Sequence, residues 1–111
     1  MAADIPSFAI DVEVKEGRVR FVPRGELDLA TAPELERRLL EALRERETVV
    51  LDLRELTFMD STGVRTIVAA HQTARDAGVE LRLVRPSAGT AVWRVIEISG
   101  IDSALKLVDA P

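Results

Sequence analysis

The chain has no cysteine and only one histidine. The first absence excludes disulfide staples, a thiolate zinc site, a redox CxxC pair and a cysteine nucleophile. Long apolar runs are missing too, none approaching the roughly 20 residues of a membrane span. The start, Met1-Ala2-Ala3-Asp4-Ile5-Pro6, has neither the basic nor the apolar segment of a signal peptide, so a cytoplasmic location without a membrane partner is expected. Nor is there an excess of positive charge, since 15 Lys and Arg stand against 19 Asp and Glu for a net charge of -4. Direct nucleic-acid binding needs a concentrated basic surface to displace phosphate counterions, and this balance argues against it. Without linkers, internal repeats or low-complexity stretches, residues 1–111 read as a single domain.

What is present is enough for a core. At 111 residues and 47% apolar composition, the chain can bury roughly two-thirds of its unfolded surface without metal or disulfide support. Phe8, Ile10, Val12 and Val14 alternate at period two, Glu16-Gly17 marks a tight turn, and Val19 and Phe21 resume the alternation. That pattern predicts an antiparallel hairpin over 8–21, closed by Pro23. Thr31 and Glu34 have capping-box spacing, and Leu35, Leu39, Ala42 and Leu43 form a helical stripe, predicting a first helix over 32–46.

Thr48 to Asp52 is a short β-branched apolar run, expected as a strand buried on both faces. A second helix is predicted from Ser61 or Thr62 to Ala77, with Val64, Ile67, Val68 and His71 on one side and Gly78 ending it. A strand over 80–84, a third helix opened by Ser87 and ended before Gly100, and a last extended segment over 104–108 complete the order. Since a tight hairpin is antiparallel and strand–helix–strand units are usually parallel, this order implies an α/β sandwich on a mixed sheet.

The most informative segment is Thr57-Phe58-Met59-Asp60-Ser61-Thr62-Gly63-Val64, which leads from a strand into the second helix. Short polar residues at a helix start accept bonds from its unpaired N–H groups, and the dipole there favours negative charge. Ser61 therefore stands where a phosphate is tolerated, and Gly63 permits close backbone approach by a ligand or partner. Phosphorylation adds about -1.5 to -2 charges and three acceptor oxygens, a large change for so weakly charged a domain. The same triplet Asp60-Ser61-Thr62 also suits a plain helix cap.

Two motifs together reach further. Gly25-Glu26-Leu27-Asp28 and Phe58-Met59-Asp60-Ser61-Thr62-Gly63, continued through 64–78, 81–84 and Ile98-Ser99-Gly100-Ile101, closely resemble the STAS family of sulphate transporters and anti-sigma factor antagonists. The resemblance covers nearly the whole chain and is strongest to free-standing antagonists. It implies a STAS-like mixed β-sheet of about four to five strands packed with about three to four helices. It further implies that Ser61 is phosphorylated by a partner that is both serine kinase and anti-sigma factor. The unphosphorylated form binds that kinase and frees the sigma factor; a serine phosphatase resets the phosphorylated form. Asp28 and Asp60 are expected beside the acceptor, with Thr62, Gly63 and Arg65 in the partner-binding surroundings. Thr62 stands where many members carry a second serine. Arg65 replaces a small residue and is placed either to reach the phosphate or partner, or to sit in solvent.

The resemblance leaves two other roles open: scaffold of a stress-sensing assembly, or cytoplasmic subunit of a lipid-transport ABC system. An enzyme is not expected. His71 lies ten residues beyond Ser61 on one helix, about 15 Å away at the usual rise, too far to serve as its base. There is no G-x-S-x-G elbow, G-x-x-x-x-G-K-[ST] or G-x-G-x-x-G, so no catalytic residue, metal or cofactor is expected. Small-ligand sensing at the helix start is a lesser possibility that titration with GTP and ATP tests. A monomer or weak dimer is the expected state. Trp93 is placed at a core edge, Phe58 and Met59 beneath the Ser61 loop, and Glu34, Glu36, Arg37, Arg38 and Glu41 on a solvated helix face.

Overall fold

A computed structural model describes residues 8–111. Strands β1 (Phe8–Lys15) and β2 (Arg18–Leu27) form the hairpin. Its two-residue turn has positive φ at both Glu16 and Gly17, the geometry that matches strand twist. Pro23 does not close this hairpin: β2 continues through it to Leu27. Helix α1 (Ala32–Arg44), strands β3 (Thr48–Asp52) and β4 (Leu56–Met59), helix α2 (Ser61–Ala77), strand β5 (Leu81–Val84), helix α3 (Ala91–Ser99) and strand β6 (Leu107–Val108) follow. The sheet runs β1-β2-β3-β5-β6, with β4 paired to β2 beyond the end of β3. Among the described residues only β1–β2 is antiparallel; the other pairings are parallel.

Each crossover, β2 to β3, β3 to β5 and β5 to β6, steps in the same direction across the sheet. Right-handed connections of this kind put their helices on one face. On that face Phe21, Val49, Leu51 and Leu83 meet Leu35, Leu39 and Leu43 of α1 and Ile67, Ala70 and Ala74 of α2 in one buried core. The opposite face carries the alternate residues, most of them charged. There Val50 pairs in register with Arg20 and Arg82. It is fully buried, sheltered by those long side chains.

Asp52 lies on the same face and is also buried. Arg20 donates to its carboxylate at 2.8 Å and Arg54 at 2.7 Å and 3.0 Å, and the Arg54 backbone N–H adds a bond of 3.1 Å. Burial raises the carboxyl, but the bonds from Arg54 and Arg20 outweigh it and hold Asp52 at about 2.

Several expectations are corrected. The first helix ends at Arg44, because Arg46 already has positive φ. Thr31 makes no side-chain cap, so the Thr31–Glu34 box does not form; its hydroxyl is turned back toward Glu26 and Asp28. Ser87 does not open the third helix: Thr90 caps it, accepting from the Trp93 N–H at 3.2 Å. β4, which lacks alternation, extends the expected sheet. Ile98 of α3 points outward, whereas Trp93 is half-buried at the core edge, as expected, beneath the Arg85 guanidinium. The Glu34, Arg37, Arg38 and Glu41 side chains form exposed ion pairs along α1, as the charge pattern suggests.

Candidate functional site

The site is assembled by β2. Its last residue, Leu27, pairs with Met59, the last of β4, so the residues that follow, Asp28 and Asp60, emerge side by side. The Asp60 N–H donates to the Leu27 carbonyl at 3.3 Å, tying the two exits together.

Each aspartate then shapes its own turn. Asp28 Oδ1 accepts from the Ala30 and Thr31 N–H groups at 3.0 and 3.2 Å, and the Asp28 carbonyl accepts from the Ala32 N–H at 2.8 Å. The Thr31 hydroxyl completes this turn, donating to the Glu26 carbonyl at 2.8 Å and accepting from the Asp28 N–H at 2.9 Å. Nothing in the helical spacing that suggested a capping box distinguishes this use of Thr31. Asp60 caps α2, its Oδ1 accepting from the Thr62 N–H at 2.9 Å and from the Thr62 hydroxyl. The Thr62 hydroxyl, with the backbone N–H groups of Thr62 and Gly63, holds the Asp60 carboxyl below the usual carboxylate range.

Ser61 and Thr62 are thereby distinguished. Thr62 is half-buried with its hydroxyl committed to Asp60, whereas Ser61 is exposed at the first position of the helix. No hydrogen bond among the described residues holds the Ser61 hydroxyl. A cap explains Asp60 and Thr62, but it gives Ser61 no structural task.

Gly63 acts from within. It is buried, and a Cβ there would overlap the Met59 side chain and lie 3.0 Å from Leu27 Cδ2. The close approach that this glycine permits is therefore made by the core. Met59 is buried below the loop as expected, but Phe58 is 43% exposed. A Gly63→Ala variant is expected to lose about 1–3 kcal/mol, the usual cost of overpacking a filled core. Urea unfolding checks this: the midpoint falls with the m-value unchanged, and an unmoved midpoint contradicts the packing role.

Beside Ser61 a groove of about 180 Å³ runs between the starts of α1 and α2, lined by Leu29, Ala32, Pro33, Glu36, Thr62, Arg65 and Thr66. Leu29, on the Asp28 turn, is 75% exposed. Arg65 is exposed on the groove wall, one turn from Ser61, and makes no ion pair among the described residues. The space falls below the roughly 300 Å³ of ordinary small-molecule pockets, and its lining suits a protein contact better than a nucleotide. His71 is half-buried farther along α2. Among the described residues no group of three potential ligands is placed to hold a metal ion, and no helix is long and apolar enough to cross a membrane.

A one-sided α/β domain that presents a hydroxyl uncommitted among the described residues, beside two carboxylates and a shallow groove of mixed apolar and polar lining, has the form of a protein-binding module. Residues 9–110 match the STAS domain model. The anti-sigma-B factor antagonist of Listeria monocytogenes is 33% identical over 103 residues, covering 88% of both chains. The anti-sigma F factor antagonist of Paenibacillus polymyxa is 28% identical over 90% of this chain and 87% of its own. The crystal structure of an anti-sigma factor antagonist from Mycobacterium paratuberculosis superposes with a TM-score of 0.82 at 26% identity, covering 94% of this chain and 87% of the other. The chain belongs to the STAS domain family, in the group that contains the anti-sigma factor antagonists.

Proposed function

We propose that this protein is an anti-sigma factor antagonist whose affinity for its partner is set by the phosphorylation state of Ser61. The unphosphorylated form binds an anti-sigma factor that is also a serine kinase and so frees the sigma factor. Phosphate on Ser61 ends binding, and a serine phosphatase restores it. The observation that carries this reading is the contrast between an exposed, uncommitted Ser61 hydroxyl and its committed neighbours Asp60 and Thr62. The named relatives, with similarity along nearly the whole chain, supply the class of partner.

The physical gate is electrostatic. A dianionic phosphate at Ser61 stands beside Asp60 and close to Asp28, and a partner packed over the loop must desolvate all of that charge together. The domain itself needs little rearrangement, since a helix start accepts negative charge locally. Leu29 and the groove bounded by Thr62 and Arg65 form the partner-facing surface, Gly63 supports it from below, and the protein works in the cytoplasm, where its kinase finds ATP.

The test is incubation with the cognate anti-sigma kinase and ATP, followed by intact mass and peptide mapping. One phosphate on Ser61 is the expected result. Phosphate on Thr62 instead overturns the assignment of the acceptor. No phosphate with any cognate kinase overturns the switch and favours a STAS scaffold or transporter subunit.

A further inference from the structure

We infer that β1 is a self-association edge, through which two copies of this chain join their sheets by antiparallel pairing of β1 with β1. The two edges of the sheet differ: β6 has two residues, whereas β1 has eight and pairs only with β2 among the described residues. An edge of that length is ordinarily blunted by charged side chains, proline, a bulge or a cover, and among the described residues β1 has only the charges Asp11, Glu13 and Lys15. β1 has no proline, and its register to β2 runs without a bulge from Phe8↔Gly25 to Lys15↔Arg18.

The two-residue turn makes Lys15–Arg18 a hydrogen-bonded pair, so the backbone groups of odd-numbered residues face β2. Those of Ile10, Val12 and Val14 point out of the sheet. Their side chains continue the apolar row of the helix-covered face, yet Val12 is 47% and Val14 69% exposed. Backbone groups and apolar side chains are thus left unpaired on the same stretch.

A second copy fits that stretch by charge. With Glu13 at the two-fold axis, Val12 opposes Val14 of the other copy on the helix-covered face, and Asp11 opposes Lys15 on the charged face. Both pairs occur twice by symmetry. The facing Glu13 carboxylates are each compensated by their own Arg20, 3.6 Å away. A strand pair this short is small beside the roughly 1,200–2,000 Å² of a standard interface, so the dimer is weak and in rapid exchange. Its formation leaves the Ser61 surface uncovered, at the far end of β2 from the hairpin turn.

Sedimentation velocity from micromolar to millimolar concentration tests this. The wild-type mass is expected to rise from 12.2 kDa toward twice that value. Val12→Pro removes only an outward-pointing N–H, so the β1–β2 ladder and the circular dichroism spectrum are retained while dimerisation is lost. Lys15→Glu, which replaces the opposite-charge pairs by like ones, raises the dissociation constant at least about tenfold. A wild-type protein that remains at 12.2 kDa throughout, or a folded Val12→Pro variant that dimerises as well as wild type, overturns the inference.

Discussion

Ser61→Ala is expected to take up no phosphate and to hold the anti-sigma kinase as well with ATP as without it, whereas Ser61→Asp binds at least about tenfold more weakly than wild type. The alanine removes a hydroxyl that has no partner among the described residues, so folding and capping by Asp60 are preserved. The aspartate adds a carboxylate beside Asp60, whose own carboxyl is kept ionised by Thr62. Like charges brought together in a desolvated contact cost several kcal/mol, and one carboxylate carries less charge than phosphate, so tenfold is the lower bound. Binding measured by calorimetry at two ionic strengths decides the cause. Salt should narrow the gap between Ser61→Asp and wild type, and equal affinity for the two proteins would sink the charge gate.

Asp52→Ala is expected to be the most damaging single change on the helix-free face, at about 3 kcal/mol. It leaves the half-buried Arg20 with only its longer contact to Glu13 and opens space between buried valines, and breaking one side of a buried ion pair commonly costs 3–5 kcal/mol. The partial exposure of Arg20 and Arg54 puts this case at the low end. For a domain of this size the melting temperature falls by about 12–20 °C.

The same carboxylate gives stability a pH dependence of definite sign. Folding lowers the Asp52 carboxyl from the ordinary value near 4 to about 2. Its contribution is therefore complete above the unfolded value and is lost as pH falls from about 4 through about 2. The two values correspond to about 2 kcal/mol. Comparing acid unfolding of wild type and Asp52→Asn checks this, because the variant should lack that component; identical acid profiles would assign the effect elsewhere.

The periodic elements were legible because a buried face leaves a period. The β1–β2 alternation, the α1 stripe, the apolar centre of β3 and the glycines that end α2 and α3 are read directly from residue spacing. β4 was hidden because Leu56 and Met59 are buried around exposed Thr57 and Phe58, a pattern of no single period. Pro23 misled for a physical reason. Hydrogen-bond alternation points its missing N–H away from β1, into the gap between the β3 pairing that ends at Phe21↔Leu51 and the β4 pairing that begins at Gly25↔Leu56. A proline costs nothing where the neighbouring strand is changing.

At the candidate site, the motif located Asp28, Asp60 and Ser61 in the chain. What it did not contain was the division of labour between Ser61 and Thr62, which depends on where the Thr62 hydroxyl turns. The Asp52 clamp was similarly invisible, since Arg20 and Asp52 are 32 residues apart and meet only through strand order.

The shared exit of β2 and β4 also sets the clock on which the serine loop opens. The Asp60 amide is bonded to Leu27, and Leu27 belongs to the interior strand that also pairs with β1 and β3. Releasing that amide to solvent requires loosening the middle of the sheet, so its hydrogen exchange should be slow and follow global unfolding more closely than loop fraying. Under the proposed switch, a kinase would meet the Ser61 hydroxyl in one preset pose, with no need to wait for a rare excursion of the chain.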